Sequence, residues 1–67
     1  MTKPTKQEAG GMTVNERLYH FGLMNDFDEA VAQKDEARLR TILSEIYLGP
    51  ENIQVIVNQK IKSAPQD

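Results

Sequence analysis

Leu39, Ile42, Leu43, Ile46 and Tyr47 recur at the i, i+3, i+4, i+7, i+8 spacing of an amphipathic helix. Glu36, Arg38, Arg40 and Glu45 fall off that stripe. A helix with one apolar stripe is stable only against another apolar surface, so this segment demands partners elsewhere in the chain. Asp35 supplies the side-chain oxygen of an N-cap, and Lys34 ends the preceding segment with a positive charge, as a helix C-terminus favours. The pattern predicts a helix over 35–48.

Upstream, Thr13-Val14-Asn15-Glu16 is a capping box. The Thr13 hydroxyl would accept the Glu16 backbone N–H, and the Glu16 carboxylate would reach back to the Thr13 N–H. A helix is expected from there over 13–33. Its apolar residues do not lie on one stripe. Val14, Leu18 and Phe21 share a face, whereas Leu23, Met24, Phe27, Ala30 and Val31 lie on a face rotated by more than a quarter turn. Either the helix breaks near Gly22-Leu23-Met24-Asn25, where glycine costs about 1 kcal/mol relative to alanine, or it stays straight and buries two faces. The straight helix is the expectation here, with one face turned to the subunit and the other to a partner.

Downstream, Gly49-Pro50 is a sharp stop. Glycine suits the left-handed position after a helix, and proline suits the first position of the next one. Ile53, Ile56, Val57 and Ile61 then form one helical face with Val55 off it. The β-branched run Ile53-Gln54-Val55-Ile56-Val57 would also suit a strand, but no second strand-like segment offers a partner. A third helix over 50–62 is the reading taken. The fold class is therefore all-α, a compact three-helix mini-bundle. Its core is expected from Phe27, Val31, Leu39, Ile42, Leu43, Ile46, Ile53, Ile56 and Val57.

The ends look different. Over 1–12, Pro4, Gly10 and Gly11 accompany few apolar residues, which predicts a disordered N-terminal tail. The domain proper is 13–62, and 63–67 should fray. With 67 residues and no cysteine, neither disulfides nor thiolate metal sites can staple so small a core. Self-association is a common further source of stability in such chains, and a homodimer is expected. No apolar run spans a membrane and the first residues are polar, so a cytoplasmic location is the default reading.

The segment Met12-Thr13-Val14-Asn15-Glu16-Arg17-Leu18, followed by Gly22-Leu23, Phe27-Asp28 with Ala30, and Asp35 ahead of Ile42-Leu43, resembles a group of small uncharacterised alphaproteobacterial helical proteins. The likeness covers about residues 12–48 and weakens over the third helix. It implies an all-helical fold and no activity. It also implies that such chains often start at the position of Met12.

Candidate chemistry is sparse. His20, the one histidine, has Glu16 one turn away, an ordinary helix-surface pair without a nucleophile or a third group to orient it. Asn25-Asp26-Phe27-Asp28-Glu29 gathers carboxylates, but Val31 stands where a calcium loop opening at Asp26 requires glycine. Lys34, Arg38, Arg40, Lys60 and Lys62 are interspersed with acids, and the net charge is −2, so no strongly basic footprint forms. Gln54, Asn58, Gln59, Lys60 and Lys62 leave nucleic-acid binding through the third helix as the alternative. Phe21, Met24, Phe27 and Tyr47 could line a pocket, yet a chain this short hardly encloses about 300 Å³ beside its own core. The reading is a non-enzymatic protein-interaction module, an adaptor, inhibitor or regulator, with no cofactor and no metal. Its interface is expected at Val14, Leu18, Phe21 and Met24.

Overall fold

The computed structural model describes residues 4–62. All of its regular structure is helical, and no strand occurs among the described residues. The all-α expectation holds, but five helices are present rather than three. They are α1 (Lys6–Ala9), α2 (Val14–His20), α3 (Met24–Ala32), α4 (Glu36–Glu45) and α5 (Pro50–Val57), the last running into a π-helical turn, Asn58–Lys62. The radius of gyration is 12.1 Å, near the roughly 11 Å of a compact chain this long.

The segment expected as a tail contains α1, one turn of helix. A second capping box opens it. Thr5 accepts the Glu8 backbone N–H at 3.2 Å, and the Glu8 carboxylate accepts the Thr5 N–H at 2.9 Å. Thr13 and Glu16 repeat the arrangement at the start of α2, at 3.2 and 2.8 Å, as the sequence predicts. Residues 1–3 and the expected fraying of 63–67 lie outside the described residues.

The expected helix over 13–33 is two helices, and its break is built from four residues. Gly22 adopts φ +71, its N–H donates to the Tyr19 carbonyl at 3.1 Å, and the Leu23 N–H donates to the Leu18 carbonyl at 2.9 Å. This is a Schellman motif, which satisfies the orphan carbonyls of α2 and reverses the chain. A Cβ at position 22 would meet nothing within 4 Å, so glycine is there for its left-handed backbone and not for lack of space. The turn also resolves the two-faced pattern. Once α2 swings back, Leu18 and Phe21 point into the same core as Phe27 and Ala30.

The same motif closes the next two helices without glycine. After α3, Lys34 takes φ +54, with Lys34 N–H to Val31 carbonyl at 3.1 Å and Asp35 N–H to Ala30 carbonyl at 2.9 Å. After α4, Tyr47 takes φ +67, with Tyr47 N–H to Ser44 at 3.2 Å and Leu48 N–H to Leu43 at 3.3 Å. Gly49 was expected in the left-handed position. It has φ −74 and ψ 163 instead and forms the N-cap of α5, because Tyr47 has already turned the chain. Pro50 opens α5 as expected. Asp35 caps α4 through the Arg38 N–H at 3.1 Å, and α4 ends at Glu45, three residues before the expected limit.

Consecutive helices from α2 to α5 pack on one another. The core joins Leu18, Phe21, Phe27, Ala30, Leu39, Ile42, Leu43, Ile46, Ile53 and Val57. Of the expected core, Val31 and Ile56 are only partly buried and sit at its rim.

Candidate interaction surface

Of the four residues expected at an interface, the structure keeps two near the surface. Leu18 is 0% exposed and Phe21 is 8% exposed, both inside the subunit core. Neither lies on an outer face of the subunit: that expectation follows from one straight helix, in which they would face away from Phe27. Val14 and Met24 pack against the core from its edge and remain partly exposed, together with Leu23, Leu48 and Ile61. Tyr19, Tyr47 and Val55 are the exposed large hydrophobics.

Arg17 carries a connection that no pattern in the sequence announces. From α2, its Nη1 donates to the Ile46 carbonyl at 3.2 Å and lies 3.4 Å from the Tyr47 carbonyl. A cation thus meets the carbonyl-rich end of α4, where a helix carries partial negative charge. The Arg17 Nε is buried and has no hydrogen-bond partner among the described residues. Phe21 meets Tyr47 edge-on beside it, with ring centroids 5.9 Å apart and planes at 72°. Together the two contacts fasten α2 to the far end of α4.

Three further cations are drawn into two polar clusters. Arg38 Nη2 bridges from α4 to Asp26 at 3.2 Å and Glu29 at 3.1 Å, both on α3. Arg40 pairs with Glu36 at 2.8 Å and hydrogen-bonds the Gln54 side-chain oxygen at 2.6 Å; the Gln54 amide in turn donates to Asn58 at 2.8 Å. Lys62 approaches the other Glu36 oxygen at 3.6 Å. The hydrogen bond from Arg40, helped by the charges of Lys62 and Arg40, lowers the Glu36 pKa from its ordinary 4.5, while desolvation opposes the shift.

The acidic run Asn25–Glu29 is dispersed by the helix. Asp26 and Glu29 face Arg38, and Phe27 enters the core. His20 meets Tyr19 edge-on at 5.3 Å, while the Glu16 carboxylate expected to pair with it accepts the Thr13 N–H instead. Among the described residues no group of three potential ligands is placed to hold a metal ion, and no cavity opens. No helix there is long and apolar enough to cross a membrane. No protein-family model, curated protein or solved structure matches this chain.

Proposed function

We propose that this chain is a helical protein-interaction module, non-enzymatic, which self-associates and presents the edge of its core to another protein. One observation carries the reading: apolar side chains stay at the surface of a very small body. Val55 is 50% exposed, although a β-branched residue on an outer helix face gains little there and is a weaker helix former than alanine or glutamate. Val14, Met24 and Ile56 add partly exposed apolar area. Such area is most useful when a second surface covers it. A cytoplasmic setting fits this role.

Light scattering coupled to size exclusion, with affinity capture from the host, tests the proposal. A mass above the monomer at about 100 μM is expected, with a partner whose capture is weakened by Val55→Asp. A strict monomer that captures nothing would overturn it.

Nucleic-acid binding through the α5 end is the less supported alternative. Arg38, Arg40 and Lys62 are all engaged with carboxylates of the same chain, which leaves few charges to release counterions from a phosphate backbone. A salt-dependent mobility shift at about 50 mM salt would favour it over the first reading.

A further inference from the structure

Lys34 is left-handed, φ +54, at the corner between α3 and α4, a conformation unfavourable for any residue with a Cβ. In the local sequence only Asp35, the N-cap of α4, favours a corner there. Residues 24–45 contain neither glycine nor proline, and Gln33, Lys34, Glu36, Ala37 and Arg38 all favour a continuing helix. The other two corners have breakers of their own, Gly22 in one and Gly49-Pro50 after the other.

If Lys34 turned right-handed, one helix would run over 24–45, about 33 Å long. The two Schellman hydrogen bonds would be replaced by ordinary i→i−4 bonds, and the first-turn N–H groups of α4 would gain carbonyl partners. The Asp35 cap on the Arg38 N–H would be lost. What bends the chain at Lys34 is therefore the Asp35 cap together with the packing of α3 on α4 and the bridge from Arg38 to Asp26 and Glu29. Those contacts join one half of the chain, α2–α3, to the other, α4–α5. A second copy offers the same halves in the same chemistry, so straightening in both chains can restore every one of them between molecules.

We infer that the α3–α4 corner is a hinge through which two copies exchange halves, α2–α3 of each packing on α4–α5 of the other. Leu18, Phe27 and Ala30 of one chain then meet Leu39, Leu43 and Val57 of its partner, and the Arg38 bridge becomes intermolecular. The inference rests on the self-association proposed above and gives it a mode. It leaves the exposed Val55 free for a different protein.

Charge reversal tests it. One chain carries Arg38→Glu and a second carries Asp26→Lys with Glu29→Lys, so that each alone sets like charges against each other across α3 and α4. Unfolded together and refolded at about 100 μM, an exchanging pair forms a mixed dimer in which opposite charges meet at both junctions. Native mass spectrometry should show the ratio of mixed to like dimers raised about fivefold over its statistical value. Mixed dimers at the statistical share would overturn the exchange and leave self-association standing. A wild-type chain that stays monomeric would overturn both.

A second pair of variants guards against misfolding, since the Lys34 side chain is exposed. Lys34→Gly suits the corner and should weaken the dimer by roughly tenfold, whereas Lys34→Ala suits the straight helix and should strengthen it. Equal dimer fractions for the two would also overturn the exchange.

Discussion

At the scale of single residues, Glu36 joins two cations that belong to different elements. Its two carboxylate oxygens take Arg40 at 2.8 Å and Lys62 at 3.6 Å, and so tie the first turn of α4 to the π-helical turn after α5. These partners favour the charged form and hold the folded-state pKa below 4.5, with the Arg40 hydrogen bond the largest cause. A carboxyl depressed by folding contributes stability that is complete above its unfolded pKa and is lost as pH falls through the folded one. The urea midpoint should therefore decline between about pH 5 and pH 3, part of that decline belonging to Glu36. In Glu36→Gln the decline should be shallower, and at neutral pH the amides of residues 58–62 should exchange faster. An unchanged slope would show that the pair with Arg40 is too solvated to matter, as exposed ion pairs often are.

At the scale of elements, α2 shows what holds a short helix in place. Seven residues are too few to be helical alone, so the capping box at Thr13, the burial of Leu18 and Phe21, and the Arg17 hydrogen bond to the α4 terminus have to act together. Arg17→Ala removes the two side-chain hydrogen bonds that tie α2 to the end of α4. A loss of about 1–2 kcal/mol is expected, the range for a bond from a charged donor, partly offset because the unpartnered buried Nε goes with it. Amide exchange should localise the effect, with residues 14–20 accelerated more than those of α4. Uniform acceleration would mean that Arg17 supports the whole core. Much of this was legible beforehand. The Thr13 and Asp35 caps, Pro50 at the start of α5 and the α4 stripe each depend on residues adjacent in sequence. The left-handed residues at the corners were harder to read, because Lys34 and Tyr47 adopt a backbone that their side chains do not favour, although Asp35 and Gly49-Pro50 mark both places. Leu18 and Phe21 were hard to place as well: whether they face inward depends on one φ angle at Gly22. Arg17 could not have been found from spacing, since its partners are carbonyls about thirty residues away.

At the scale of the whole molecule, the decisive quantity is how little core there is to lose. A single core in a chain of this length supplies about 3–5 kcal/mol of net stability, while truncating a fully buried leucine to alanine costs about 2–5 kcal/mol. Leu43 is 0% exposed at the centre of the cluster, and its carbonyl receives the Leu48 N–H that closes α4. Leu43→Ala should consequently leave a substantial unfolded fraction at 25 °C, seen as lost helical ellipticity. Tyr19→Ala, at a side chain 69% exposed, should stay within about 0.5 kcal/mol of wild type. Concentration turns this into a test of the assembly as well. If two chains share their cores, folding is coupled to association, and raising the protein concentration a hundredfold stabilises the folded dimer by up to about 2.7 kcal/mol per dimer. Leu43→Ala should then regain helix between about 5 and 500 μM. A chain that completes its core alone would show the same ellipticity at both concentrations, because nothing in a monomer's folding equilibrium depends on how many neighbours it has.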